Sequence, residues 1–153
     1  MFEEIIVHLD TVTLFSLLLV ISLLTAAFLT STRVLTPTTP SSLRILFIWH
    51  LFDFFTHTIL ESSFLYVCFF TSLSFEPDVH DASLVNYFRG DPERLYGAAY
   101  GSSWANRLWM VYAQADRRWS GADSSIVSLE LLNVIVGGLW HCTFAMASPG
   151  VIQ

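Results

Sequence analysis

Residues 43–70, LRILFIWHLFDFFTHTILESSFLYVCFF, decide how this chain folds. The run is overwhelmingly apolar. At about 1.5 Å of helix per residue it exceeds a bilayer's hydrocarbon core of about 30 Å, so it spans with tilt or protrudes. Yet it carries His50, Asp53, His57 and Glu61. Successive helical residues turn about 100°, which puts these four within an arc of roughly 80°. A charge at bilayer depth costs about 2.5 to 3.5 kcal/mol on insertion scales. The stripe must therefore face protein, water or a ligand. His57 and Glu61 stand four apart, close enough to share a proton directly.

Two further apolar runs flank this one. Residues 12–30 carry no charge and nearly match the hydrocarbon thickness. The chain starts Met1-Phe2-Glu3-Glu4, followed by His8 and Asp10, where a signal peptide would have a basic start, so this first run reads as a retained span. Residues 31–44 form a Thr-, Ser- and Pro-rich connection broken at Pro37 and Pro40. It holds Arg33 and Arg44 and no acid, which places it in the cytosol and the N-terminus on the other side. The third run, 125–147, closes at Ser148-Pro149-Gly150.

Between the second and third runs, residues 71–103 read as a structured loop without a core of its own, containing Pro77, Gly90, Pro92, Gly97 and Gly101. Residues 103–119 then predict an amphipathic helix. Trp104, Leu108, Val111, Tyr112, Ala115 and Trp119 share one face, and Asn106, Arg107, Gln114, Arg117 and Arg118 the other. Such a helix lies in the membrane interface or packs against the spans. The predicted fold is all-α: a single polytopic membrane domain over 1–153, with three transmembrane helices and an interfacial amphipathic helix.

The composition agrees. Of 153 residues, 54% are hydrophobic and 13% charged, with thirteen phenylalanines and five tryptophans. Soluble domains carry about 25% charged residues. A net charge of -6 gives no electrostatic footprint for nucleic acid. Cys68 and Cys142 both fall in apolar runs, unlike a secreted disulfide framework.

The third run repeats the arrangement of the second. Glu130, Asn133, Gly137 and His141 share a similarly narrow arc, and Gly137-Gly138 leaves room for close helix approach or a flat ligand. A carboxyl withdrawn from water can hold a proton at neutral pH, and a second carboxylate with a histidine can take one back. An acid–base set facing an apolar cavity suits a lipid-soluble substrate whose reactive group is a double bond. Indole faces and carboxylates stabilise the carbocation that its protonation creates. Plainer readings stand beside this one. His50 and His141 fit interfacial polar residues, Asp53 fits a residue orienting another helix, and His57 with Glu61 fits an interhelical hydrogen bond. The spacing of His50, His57 and Glu61 would admit a metal, but the sequence offers no clear further ligand, and none is expected.

Two segments carry a family resemblance. Phe55-Thr-His57-Thr-Ile-Leu-Glu61 presents His-x-x-x-Glu on a membrane helix. Leu108-Trp-Met-Val-Tyr112-Ala-Gln-Ala-Asp116-Arg-Arg118-Trp119 leads through Gly121-Ala-Asp123 to Ser128-Leu-Glu130. Together they resemble the emopamil-binding protein family, the sterol Δ8–Δ7 isomerases of the EXPERA group, over residues 43–140. The stretch from Pro92 to Gly101 is similar to the fungal branch. The resemblance implies a multi-pass enzyme of the endoplasmic reticulum membrane that shifts a ring double bond without any cofactor, as a cholestenol Δ-isomerase does. It assigns His57 and Glu61 to the proton shuttle and Glu130 to stabilising the cationic intermediate. Asn133, Trp119, Tyr112 and Asp53 fall to the substrate. Asp116 and Arg118 match family positions needed for activity; an ion pair between them that positions the loop is our own expectation, and Asp123 is expected to help position it. Trp119 stands where the family usually has Tyr, and Asn133 where it has Thr, which admits a polycyclic terpenoid other than an ordinary sterol. Family members have further spans after the one carrying Glu130, so the resemblance implies a chain short at its C-terminus, completed by another chain or forming a homo-oligomer. The competing readings are an inactive lipid- or sterol-binding membrane protein and a truncated fragment.

Overall fold

The computed structural model describes residues 11–74 and 94–147. The acidic start, Pro77, Gly90, Pro92 and Ser148-Pro149-Gly150 lie outside the described residues. Among the described residues three helices are long and apolar enough to cross a membrane: Thr11–Val34, Ser41–Phe70 and Ser124–Ala147, with mean hydropathies of 2.5, 1.3 and 1.4. The chain is thus all-α with three candidate spans, as its sequence predicts. Leu18, Ile21, Ile45, Trp49, Leu139 and Met146 all point outward. Exposure of this extent suits lipid as the solvent rather than water.

In chain order the elements are α1 (Thr11–Val34), α2 (Ser41–Phe55), a wide π-helical turn (Thr56–Glu61) and α3 (Ser62–Phe70). Strands β1 (Ser72–Ser74) and β2 (Arg94–Tyr96) follow, then a 3₁₀ turn (Ala98–Tyr100) and α4 (Trp104–Tyr112). A second 3₁₀ turn (Arg117–Ser120), α5 (Ser124–Leu132), a second π-helical turn (Asn133–Gly137) and α6 (Gly138–Ala147) complete them. α1 runs a turn beyond its apolar segment. Along it the hydroxyls of Ser16, Ser22, Thr25 and Thr30 donate to the carbonyls four residues back. That satisfies donors for which lipid offers no partner.

Close contacts gather the described residues into two compact units, one holding 11–16, 62–74 and 94–131, the other 17–61 and 132–147. In the first, β1 and β2 pair antiparallel with Ser72 opposite Tyr96 and Ser74 opposite Arg94. The sequence pattern does not predict this short pair; Leu95 and Tyr96 within it and Ala98 just after it are buried. α4 packs on α3: the Trp109 indole N–H donates to Ser63 Oγ at 2.9 Å, and Phe64 lies under Trp109 and Trp119. The predicted helix over 103–119 is shorter than its pattern suggests, ending at Tyr112 and giving way to the turn that Asp116 caps. Its buried side is Ala105, Asn106, Leu108 and Trp109; of the face predicted to run from Trp104, Leu108 is buried while Trp104 and Tyr112 are exposed. Asn106 belongs inside because its amide donates to Ala98 O at 3.0 Å and accepts from Ser103 Oγ at 2.6 Å. A buried amide with both ends bonded carries little penalty.

In the second unit, Arg44 reaches back to the end of α1 and donates to Ser31 O (2.9 Å) and Thr36 O (3.0 Å). Each of these carbonyls also accepts a backbone N–H, from Leu35 and Thr39 respectively, so the guanidinium uses their second lone pairs. Leu35, Phe47 and Ala145 form a small core with Val34 and Leu51 against it, joining α2 to α6.

Two glycines test this packing. Gly97 has φ +127°, and a Cβ there would stand 2.5 Å from Gly121 Cα, where Ala122 N–H donates to Tyr96 O at 2.9 Å. A Cβ at Gly138 would meet only Thr58 Oγ1 at 3.8 Å. Gly97→Ala is expected to destabilise the protein in detergent by about 2 kcal/mol or more, from strain plus the clash. Gly138→Ala should be neutral or stabilising by up to about 1 kcal/mol. Unfolding curves of the two variants check this, and a Gly97→Ala protein as stable as wild type would refute the crossing.

Candidate functional site

In the second unit the stripe of the second span meets Gly137 and His141 of the third-span stripe. α2 and α6 run antiparallel, with Phe47 near Ala145, His50 bonded to His141, and His57 against Gly137. This register brings the two π-helical turns against each other. π turns are rare, and they often mark functional sites. The first begins where Thr56 Oγ1 donates to Phe52 O at 3.0 Å, competing for a carbonyl of the helical ladder.

Inside that turn His57 Nδ1 and Glu61 Oε2 stand 2.7 Å apart, each side chain about one-fifth exposed. A carboxylate can only accept, so the imidazole donates from Nδ1. That leaves Nε2 as the nitrogen able to take up or give a proton. Nε2 faces the backbone of Gly137, where a Cβ would stand 3.5 Å from it. The glycine allows the close approach its sequence suggests, and any side chain longer than methyl would press on the ring.

Toward the other end of α2, His50 Nδ1 and His141 Nδ1 lie 2.8 Å apart. Two imidazole nitrogens at this distance require a proton on one and a lone pair on the other. Asp53 Oδ2 is 3.8 Å from the same His141 nitrogen. The His141 ring stacks on His57 with centroids 5.5 Å apart and planes at 29°, and Phe144 covers His50. His50 and His141, each read from the sequence as an interfacial residue, are bonded directly to one another. One signal in the sequence pointed here: positions 50, 53, 57, 61 and 130, 133, 137, 141 share the same spacing, and antiparallel packing sets His50, which starts the first stripe, against His141, which ends the second.

The other predicted site residues fall as follows. Asn133 opens the second π turn and is half-buried. Glu130 lies in the first unit on α5, where it is only 4% exposed. Tyr112 and Trp119, also in the first unit, join an aromatic cluster with Trp109, whose indole stacks on Trp119 at 5.1 Å. Asp116 and Arg118 form the ion pair expected of them, at 2.6 Å. Asp123 caps α5 by accepting from the backbone N–H of Ser125 and Ile126.

The chain matches no protein-family model, and no solved structure matches it at a meaningful level.

The Asp116 turn has a defined pH dependence. Side-chain hydrogen bonds from Arg118, then its backbone N–H, hold the Asp116 carboxyl below the usual carboxylate range, and they hold the Arg118 guanidinium above its own. For a depressed acid, the added stability is complete above the unfolded value of about 3.9 and drains away as pH falls through the lower folded value. Asp116→Asn keeps an acceptor for the backbone but loses the ion pair. Its stability deficit against wild type should be present at neutral pH and vanish in strong acid. A deficit constant across that range would show that the pairing is not electrostatic.

Proposed function

We propose that this chain is a membrane isomerase that moves a double bond in a sterol or another polycyclic terpenoid by protonation and deprotonation, in the endoplasmic reticulum membrane. The observation that carries the reading is the 2.7 Å His57–Glu61 pair inside a membrane-span helix, with His57 Nε2 facing a glycine. The family resemblance of the His57/Glu61 and Tyr112-to-Glu130 segments adds to it.

The chemistry balances without a cofactor. The π electrons of the substrate alkene take a proton from His57 Nε2–H, forming a C–H bond and leaving a carbocation on the neighbouring carbon. A carbon beside the cation then gives up a proton to the Nε2 lone pair left by the first step, its C–H electrons become the new double bond, and His57 is returned to its protonated form. Glu61 fixes the Nδ1 proton of His57, so that proton exchange falls to Nε2, and offsets the imidazolium charge, the role an orienting carboxylate plays in other acid–base sites. Glu130 as the stabiliser of the cation rests on the resemblance alone.

A second reading has its own observation. Val34, Phe47, Leu51, Phe54, Ala145 and Met146 line an apolar groove of about 200 Å³, below the usual range of about 300–1,000 Å³ for small-molecule pockets. A groove of that size suits an acyl or isoprenoid tail, as in a lipid-binding protein without turnover.

Expression in membranes lacking Δ8–Δ7 isomerase activity, with a Δ8-sterol supplied, separates the two. The isomerase reading predicts a double-bond-shifted product. His57→Gln and Glu61→Gln should lower turnover by about 10²–10⁴-fold, the range for a general acid–base group. Folded wild-type protein that binds the sterol but yields no product would favour the second reading.

A further inference from the structure

The His50–His141–Asp53 cluster needs an explanation beyond the His57–Glu61 pair. His50 lies about 14 Å along α2 from Ser41, and His57 about 10 Å further, at about 1.5 Å per residue. The cluster therefore separates the His57–Glu61 pair from the arginine-bearing end of the spans. Ordinary packing does not call for two histidines sharing one proton in a membrane helix pair. Apolar residues would fill the space without desolvating ionisable groups.

We propose that His141 is a proton-relay residue, exchanging the proton of the His57–Glu61 pair with the arginine-bearing end of the spans through His50. This rests on the proton-shift reading of that pair. The His141 ring is stacked on His57 and bonded through Nδ1 to His50. Rotation of His141 about its Cβ–Cγ bond lets it take a proton at one nitrogen and release it from the other. Asp53, 3.8 Å from His141 Nδ1, is the counter-charge for the imidazolium present while the proton is in transit. Among the described residues of this unit, the titratable groups facing His141 are His50 and Asp53 on α2, and His57 with Glu61 bonded behind it.

The balance is that of acid–base exchange, with no oxidant or reductant. Isomerisation neither consumes nor produces a proton overall, but His57–Glu61 must hold one when each turnover begins. A proton lost from the pair is restored from the aqueous end, His50 to His141 to His57, and an excess proton leaves by the reverse path. His141 acts through His57 and does not touch the substrate, so it is a positioning and relay group rather than a catalytic one.

Two measurements on the full-length protein test the relay. In the first, kcat and KM of His141→Gln are followed against pH. The relay predicts kcat lower by about 10- to 100-fold at alkaline pH, where reprotonation limits, with recovery toward acid and KM within about twofold of wild type. Asp53→Asn should shift the same profile less. An equal loss at every pH, or none, overturns the relay, because a purely structural role moves no pH profile. The second needs no activity: ¹⁵N NMR of histidine-labelled protein in micelles. It should show His50 and His141 titrating as one coupled pair, with the His50 curve altered in His141→Gln. Independent titration, or a His50 curve unchanged by the substitution, overturns the relay. If wild type makes no product but the histidines titrate together, the isomerase reading fails and the proton-exchange cluster stands.

Discussion

Lipid offers no hydrogen-bond partner and little electrostatic screening, so each ionisable side chain in a span must find its counterpart within the protein. In this chain His50, Asp53, His57, Glu61 and His141 satisfy that demand together, on two antiparallel helices. Phe47 and Ala145 seal one end of the helix pair, and Gly137 admits the His57 ring at the other. Because a polar group left alone at this depth is so unfavourable, the register of α2 against α6 is specified more by these contacts than by the apolar side chains around them. Leu and Phe pack about equally well against lipid and protein.

The same constraint accounts for the local backbone. A regular helix carries side chains four apart on nearly the same azimuth, and the wider π turns re-aim the Thr56–Glu61 and Asn133–Gly137 segments toward one another. The first turn interrupts the helical ladder at His57 and Glu61, and the second, which holds no titratable side chain, lies against it; π bulges tend to occur at functional sites. In the first unit the polar contacts are of an ordinary kind. Trp109 bonds to Ser63, Asn106 is held at both ends, and Asp116 and Asp123 cap short elements.

Sequence periodicity was enough to place the three spans, because long apolar runs have few alternatives. It also put His57 and Glu61 on one stripe, because four residues is close to one helical turn. What it could not supply was a long-range register. His50 and His141 look interfacial when each helix is read alone, and their bond follows only once α2 and α6 are aligned antiparallel. The π turns were equally illegible, since no residue type marks them uniquely. α4 misled for another reason. Trp104, Tyr112 and Trp119 read as one helical face, but Asn106 is buried through its hydrogen bonds, and the helix ends before Trp119. Polar satisfaction overrode the hydrophobic pattern.

A histidine bonded through Nδ1 to a carboxylate, with Nε2 against a glycine, is an acid–base group in apolar surroundings, and such a group can protonate a substrate that water cannot reach. The central claim is that its proton goes to a carbon and comes from solvent. The most direct measurement is mass spectrometry of the product formed from a Δ8-sterol in heavy water. Wild type should give one deuterium on the newly protonated ring carbon, with little labelled product from His57→Gln. A double-bond-shifted product that contains no solvent deuterium would contradict that claim.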